Sequence, residues 1–302
     1  TRGQHVVDYL SENGATAAVE CIAKTPEALA AAVRLREPRV VINRAFFFSA
    51  EIIEAVAPGF PDCQFVNVNH SSHAYTQSEA QWIRQQAEAI RLAAELGNVW
   101  YGHVDERDVF DKLGLTRCLW FPNVVTIPTI ESRPPNLTNP LCSLAGRWHL
   151  VKNQTQQMIA MALANVRALL VIKTQSDLAE IFARSVGLRY EVMPWGSWKE
   201  WNKAIAGRVA VGMQASFSES FNYVALEHLI AGRPVVGSSA VRYLPDAWKA
   251  DADDPEDIAR VIRLVLDNYK EASEQAREVA EVVTARQNSA VLEQLDRITK
   301  GT

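Results

Sequence analysis

Apolar residues recur along this chain in two rhythms that take turns. Short runs rich in valine, isoleucine and aromatics, "ATAAVECIA" (15–23), "RVVINRA" (39–45), "CQFVNVNH" (63–70) and "NVWYGHV" (98–104), are bounded by Gly, Pro or Asp and predict strands. Between them, "TPEALAAAVRLRE", "SAEIIEAVA", "EAQWIRQQAEAIRLAAEL" and "DERDVFDKLG" space their apolar residues three and four apart and predict helices. Thr25 and Ser49 stand as N-caps, with Pro26 at a first helical position. Strands alternating with helices predict a parallel sheet covered on both faces.

The stretch "FPNVVTIPTIESRPPNLTNP" (121–140) carries five prolines and no helical period, which marks a linker. After it the alternation restarts: "LCSLAGR", "ALLVIKT", "RYEVMPW", "VAVGMQAS" and "RPVVGSS" as strands, with "QTQQMIAMALANV", "SDLAEIFARSV", "KEWNKAIA" and about 222–231 as helices. From Pro255 the chain reads as long amphipathic helix. The pattern predicts two doubly wound α/β domains, 1–130 and 131–302, with ligands at the carboxyl ends of the strands in a cleft between them.

Composition agrees with two cores. The chain has 302 residues, 48% hydrophobic and 22% charged, enough for two domains of about 100–200 residues. A net charge of -4 supplies no broad basic field for nucleic acid or an anionic membrane, and leaves a local patch open. No apolar run approaches the ~18 residues of a membrane span, and the first residues lack the apolar region of a signal peptide, so a soluble cytoplasmic protein is expected. Cys21, Cys63, Cys118 and Cys142 are widely spaced and read as buried thiols.

Candidate chemistry gathers in the second half. Glu219 follows the strand "VAVGMQAS" on a strand-to-helix loop, and Glu227 sits further into the next helix. At ~1.5 Å per residue they lie up to roughly 12 Å apart along an axis, which suits opposite ends of one elongated ligand. The helix start at Asn222 offers backbone N–H groups to a phosphate between them. In "AGRWHLVKNQ", Arg147 and Lys152 bracket a strand end and the next helix start, a fork and a point charge suited to a diphosphate.

The order of these residues resembles the C-terminal domain of retaining glycosyltransferases of the GT-B fold, group 1 or family 4-like. It is carried by Gly146, Arg147, Lys152, Asn153, Ser216, Glu219, Phe221, Glu227, Ala231, Gly232, Pro234, Val235 and Val236, and covers roughly 141–245. The resemblance implies two Rossmann-like domains facing a cleft, with Arg147 and Lys152 on the donor diphosphate, Glu219 on hydroxyls of the donor sugar and Glu227 on the ribose. It also implies hexosyl transfer with retention from a nucleotide-sugar donor to an acceptor hydroxyl. Ser220 and Asn222 stand where that family usually has glycine, beside the donor sugar. The first domain opens with a helix, "QHVVDYLSENG" (4–14), where the family begins with a strand and glycine loop, so the leading strand is expected to be missing.

Trp195, at the end of "RYEVMPW", is a candidate ring for the nucleotide base, with packing as the alternative. In "NVNHSSHAYTQ" (67–77), His70 and His73 are candidates for the acceptor side. One H-x-x-H with no Cys or carboxylate beside it does not make a metal site. "DADD" (251–254) reads as a helix cap, so neither a metal nor a cofactor is expected. Two alternatives keep the same residues: a non-catalytic nucleotide-sugar-binding protein, and a sugar transferase acting on nucleic acid, whose sign would be a basic face on the first domain; the sequence does not place Arg34, Arg36, Arg39 and Arg44 on one face.

Overall fold

The computed structural model describes residues 24–44, 49–77, 79–104, 109–125 and 132–300. The strand expected over 15–23, the opening helix over 4–14 and Cys21 lie outside the described residues. The chain forms two compact units, one comprising 1–126 with 284–302, the other 127–283.

In the first unit, β1 (Val40–Arg44), β2 (Gln64–Asn69), β3 (Val99–His103) and β4 (Cys118–Trp120) form a parallel sheet in the order β1-β2-β3-β4. Helix Pro26–Arg36 starts as expected, with the Thr25 side chain accepting from the Ala28 N–H at 3.2 Å and proline in the first turn. Ser49 occupies the N-cap position of helix Ala50–Val56 but makes no side-chain capping bond to the backbone. On one face of the sheet, Phe65 and Val99 pack with Leu29, Val33, Ile53 and Leu92.

The other face carries Val66, Val68 and Trp100, and the residue that closes over them is Ile298. This corrects the expected boundary. The helix Tyr269–Lys300 is continuous, yet its last turns belong to the first unit, because this face needs an apolar cover and Ile298 with Leu295 supplies it. Full burial of one such side chain is worth about 1.5–3 kcal/mol. Polar contacts lock the placement: Gln287 Oε1 accepts from the Asn123 N–H at 3.0 Å, and Asn288 exchanges bonds with the N–H and C=O of Val125 at 2.9 and 2.8 Å.

In the second unit, β5 (Leu141–Gly146), β6 (Arg167–Ile172), β7 (Arg189–Val192), β8 (Val211–Gln214) and β9 (Val235–Gly237) form a parallel sheet in the order β7-β6-β5-β8-β9. The order reverses between β5 and β8. That is the switch point of a doubly wound sheet, where the loops leaving two adjacent strands diverge and open a crevice at their carboxyl ends. Central strands buried on both faces explain the near-continuous apolar runs: Cys142, Leu144, Leu169, Val211 and Met213 are all essentially inaccessible. Among the described residues no helix is long and apolar enough to cross a membrane.

Candidate functional site

The loops leaving β5 and β8 are tied together by side chains. After Arg147 the chain makes a 3-10 turn, Leu150–Lys152, and Asn153 then takes a left-handed conformation (φ 54°) at the start of helix Gln154–Leu163. Asparagine tolerates that region better than most residues. Its Nδ2 donates to the carbonyls of Ala215 and Ala252 at 2.9 and 2.5 Å. Buried Gln157 donates to the carbonyls of Lys152 and Asn153 and accepts from the Ala215 N–H at 2.9 Å. Gln154 donates to the Arg147 carbonyl, and the Phe217 N–H to the Val151 carbonyl at 2.9 Å. A segment after β5 and one after β8 are therefore bound into one body.

That body brings two of the expected site residues into contact. Lys152 Nζ donates to Glu219 Oε1 at 2.6 Å. Arg147 lies at the end of β5 and is exposed. Phe221 and Asn222 are buried, and Ser220 is half-buried. Asn222, also left-handed (φ 51°), opens helix Tyr223–Ile230, accepting from the Ala225 N–H at 2.9 Å and donating to Gln214 Oε1 at 2.8 Å. The side chain standing where glycine is usual thus takes one of the helix N–H groups expected to face a phosphate, and joins the loop to the end of β8.

Glu227 is buried, and its Oε2 accepts from the indole N–H of Trp201 at 2.7 Å. Beside it His228 is fully enclosed. Its Nδ1 faces the Val224 carbonyl at 2.7 Å, so the proton sits there, and Nε2 accepts from the Ser143 hydroxyl at 2.5 Å. Burial pushes its pKa down to about 4, with the nearby Arg233 charge acting in the same direction. Gly212, paired with Ser143 across β5 and β8, makes room for the ring: a Cβ there would meet His228 Cδ2 at 2.8 Å. Tyr243 donates to the Asn222 carbonyl at 2.5 Å, and burial together with the Glu219 and Glu227 carboxylates holds its phenol well above the usual range. Neither Trp201 nor Tyr243 stands out in the sequence, where an aromatic on an apolar stripe or in a loop looks like ordinary core.

Trp195 does not join these contacts. It lies three residues beyond β7, 49% exposed, with Lys173 Nζ 5.7 Å from its ring centroid. An accessible ring beside a cation keeps it a candidate for a base.

In the first unit, His70 follows β2 and accepts at Nε2 from Arg44 Nε at 3.2 Å, while Arg44 also donates to Asn123 Oδ1 at 3.3 Å. Arg44 ends β1, so sequence distance hid the pair. His73 begins the short helix His73–Gln77 after Ser72, whose hydroxyl accepts from the Tyr75 N–H at 3.3 Å; the His73 side chain lies outside the described residues. Arg39 precedes β1 and Arg44 ends it, about 16 Å away at strand rise, and Arg34 lies over the Phe60 ring.

Cys63, Cys118 and Cys142 are buried, and burial pushes Cys63 up to about 11 and Cys142 up to about 12. The acidic run 251–254 acts as a cap: Asp254 accepts from the Glu256 and Asp257 N–H groups at 2.8 and 3.2 Å, and Asp257 accepts from that of Asp251. Among the described residues no three His, Cys, Asp or Glu gather in a way that could hold a metal ion.

No family model and no curated protein sequence matches the chain. Solved structures do. Sucrose-phosphate synthase from Thermosynechococcus elongatus superposes with a TM-score of 0.70 at 18% identity, over 91% of this chain and 76% of its own. A glycosyltransferase from Rickettsia africae gives 0.69 at 13% identity, over 100% and 95%. HepE from Anabaena, solved in complex with UDP and glucose, gives 0.70 at 14% identity, over 91% and 81%. The α/β fold of this chain is the one found in GT-B glycosyltransferases.

Proposed function

We propose that the protein is a glycosyltransferase that moves a hexosyl group from a nucleotide-sugar donor to an acceptor hydroxyl, with retention and without a divalent metal. The observation that carries this reading is the pairing of Lys152 with Glu219 at the switch point of the second sheet, where the loops leaving β5 and β8 are bound into one body. A cation for the diphosphate and an acceptor for sugar hydroxyls then stand side by side, as the two ends of a sugar–phosphate bond require.

In this reading Arg147 and Lys152 stabilise the charge that grows on the leaving diphosphate, and the start of helix Tyr223–Ile230 adds its dipole. Cations on the protein do the work that a metal does elsewhere. The departing phosphate oxygen takes the proton of the acceptor hydroxyl, so acceptor contacts matter more than a strong base. Glu219 accepts from donor-sugar hydroxyls and Glu227 from the ribose; Phe221, Ser220 and Asn222 shape the loop beneath the sugar, and Trp195 offers a face to the base. HepE was solved with UDP, which puts uridine nucleotides first in the panel to be tried.

The test is a thermal-shift screen of UDP, GDP and ADP and their glucose conjugates, followed by measurement of nucleoside diphosphate release with and without a panel of hydroxyl acceptors. A ligand that binds only the native state raises the midpoint by mass action. A shift with acceptor-dependent release supports the proposal. A shift with no release from any donor makes the chain a nucleotide-sugar-binding protein, and no shift with any nucleotide overturns both.

A further inference from the structure

We infer that Trp201 is a positioning residue for nucleotide recognition: its indole N–H fixes the carboxylate of Glu227 in the orientation that accepts a ribose hydroxyl. The inference rests on the reading of Glu227 just given and adds a specificity element to it.

The last torsion of a glutamate is broad and roughly two-fold, so an unrestrained carboxylate presents its oxygens in many directions. Here Oε2 is taken by the Trp201 N–H at 2.7 Å. An indole nitrogen can only donate and an ionised carboxylate can only accept, so the bond has one sense. The tryptophan is itself held from two sides. It lies in the first turn of helix Trp198–Arg208, whose start is locked by a capping box between Ser197 and Glu200. Its ring packs edge-on against His228, centroids 5.3 Å apart at 74°, and His228 is pinned by Ser143 on β5 and by the Val224 carbonyl.

Orientation thus passes from the central strand to the imidazole, from the imidazole to the indole, and from the indole to the carboxylate. A helix that contributes no expected donor contact of its own thereby sets the geometry of one that does. Phenylalanine at 201 keeps the ring packing and removes only the donor.

The experiment measures dissociation constants by calorimetry for UDP, GDP and ADP with the parent, then for the 2′-deoxy and 3′-deoxy forms of whichever binds best. The parent should prefer the ribonucleotide over at least one deoxy form. Trp201→Phe should weaken the ribonucleotide by roughly tenfold, the low end for losing a hydrogen bond to a charged group, while leaving that deoxy form within about twofold. The near-parent affinity for the deoxy form is the control for folding. Glu227→Gln should collapse the same preference.

If Glu227→Gln collapses it and Trp201→Phe does not, the positioning role is wrong and the reading of Glu227 stands. If Trp201→Phe weakens both forms equally, the indole is a packing element only and the inference falls. If Glu227→Gln leaves the preference intact, or if no nucleoside diphosphate binds the parent, the reading of Glu227 fails and the inference with it.

Discussion

Lys152 Nζ lies 2.6 Å from Glu219 Oε1, and the carboxylate half of the pair is 6% exposed while the ammonium half is 30% exposed. The asymmetry means that removing the lysine strands a buried charge. Arg147 and Lys152 share a proposed role on the diphosphate, and the ion pair separates their effects on stability. Each should weaken binding by about 1.5–3 kcal/mol, but Lys152→Ala should also cost roughly 1–2 kcal/mol of stability, less than a fully buried pair because the ammonium is partly solvated. Arg147→Ala, at an exposed position, should stay within about 0.5 kcal/mol. Urea midpoints and calorimetry on both variants check this, and adding Glu219→Gln to Lys152→Ala should restore the midpoint. A Lys152→Ala midpoint equal to the parent's would show that the pair is not formed in solution.

Arg233 is 2% exposed and meets neutral acceptors: the carbonyls of Ile205 and Ala206 at 3.3 and 2.7 Å, the Arg133 carbonyl, and Tyr269 Oη at 3.0 Å. One planar fork thus joins the end of helix Trp198–Arg208, the segment before β5 and the start of the long C-terminal helix. Lysine has the charge but not the fork, so Arg233→Lys should cost about 2–4 kcal/mol. A denaturation midpoint within experimental error of the parent's would overturn this role.

Much of this was legible in the sequence for a simple reason. Parallel strands buried on both faces must be continuous apolar runs, so β2, β3, β5, β6 and β8 stand out, and Arg147, Lys152 and Glu219 are placed by the loops that leave the carboxyl ends of β5 and β8. Three things were not legible. β4 is Cys-Leu-Trp, too short for a period to show. The apolar stripe of the helix Tyr269–Lys300 says that the helix covers a sheet but not which one, and only the bare face around Val66 and Trp100 decides it. The partners of Glu227 and His70, namely Trp201 and Arg44, sit 26 residues away in each case, and no local pattern links them.

His228 makes stability depend on pH. Its pKa falls from 6.5 in the unfolded chain to about 4 in the native protein, chiefly through burial. Between those values the unfolded chain binds a proton that the native protein excludes, so this contribution is fully present above about pH 6.5 and drains away as pH falls toward 4. Its size is up to about 3 kcal/mol. Carboxylates titrate over part of the same range, and a variant isolates the histidine. His228→Gln should be less stable than the parent at pH 7.5, with the gap narrowing by pH 4.5. A gap that stays constant across those pH values would show that His228 does not exclude the proton.

The Arg44–His70 contact bears on the acceptor side. Arg44 Nε donates to His70 Nε2, so in the neutral ring the proton lies on Nδ1. A neutral imidazole can both donate and accept; the structure narrows this for His70, because the accepting nitrogen is already engaged. If loop 67–77 serves the acceptor, Arg44 matters as much as His70, and neither matters for the nucleotide, whose proposed contacts lie in the other unit. His70→Ala, His73→Ala and Arg44→Met should leave the dissociation constant for the nucleoside diphosphate within about threefold, less than ~0.7 kcal/mol. Transfer to the acceptor should fall by roughly tenfold or more for His70→Ala and Arg44→Met. His70→Gln, whose amide oxygen can still accept from Arg44, should recover part of the loss. Parent-like transfer by His70→Ala and His73→Ala together would remove this loop from the acceptor site.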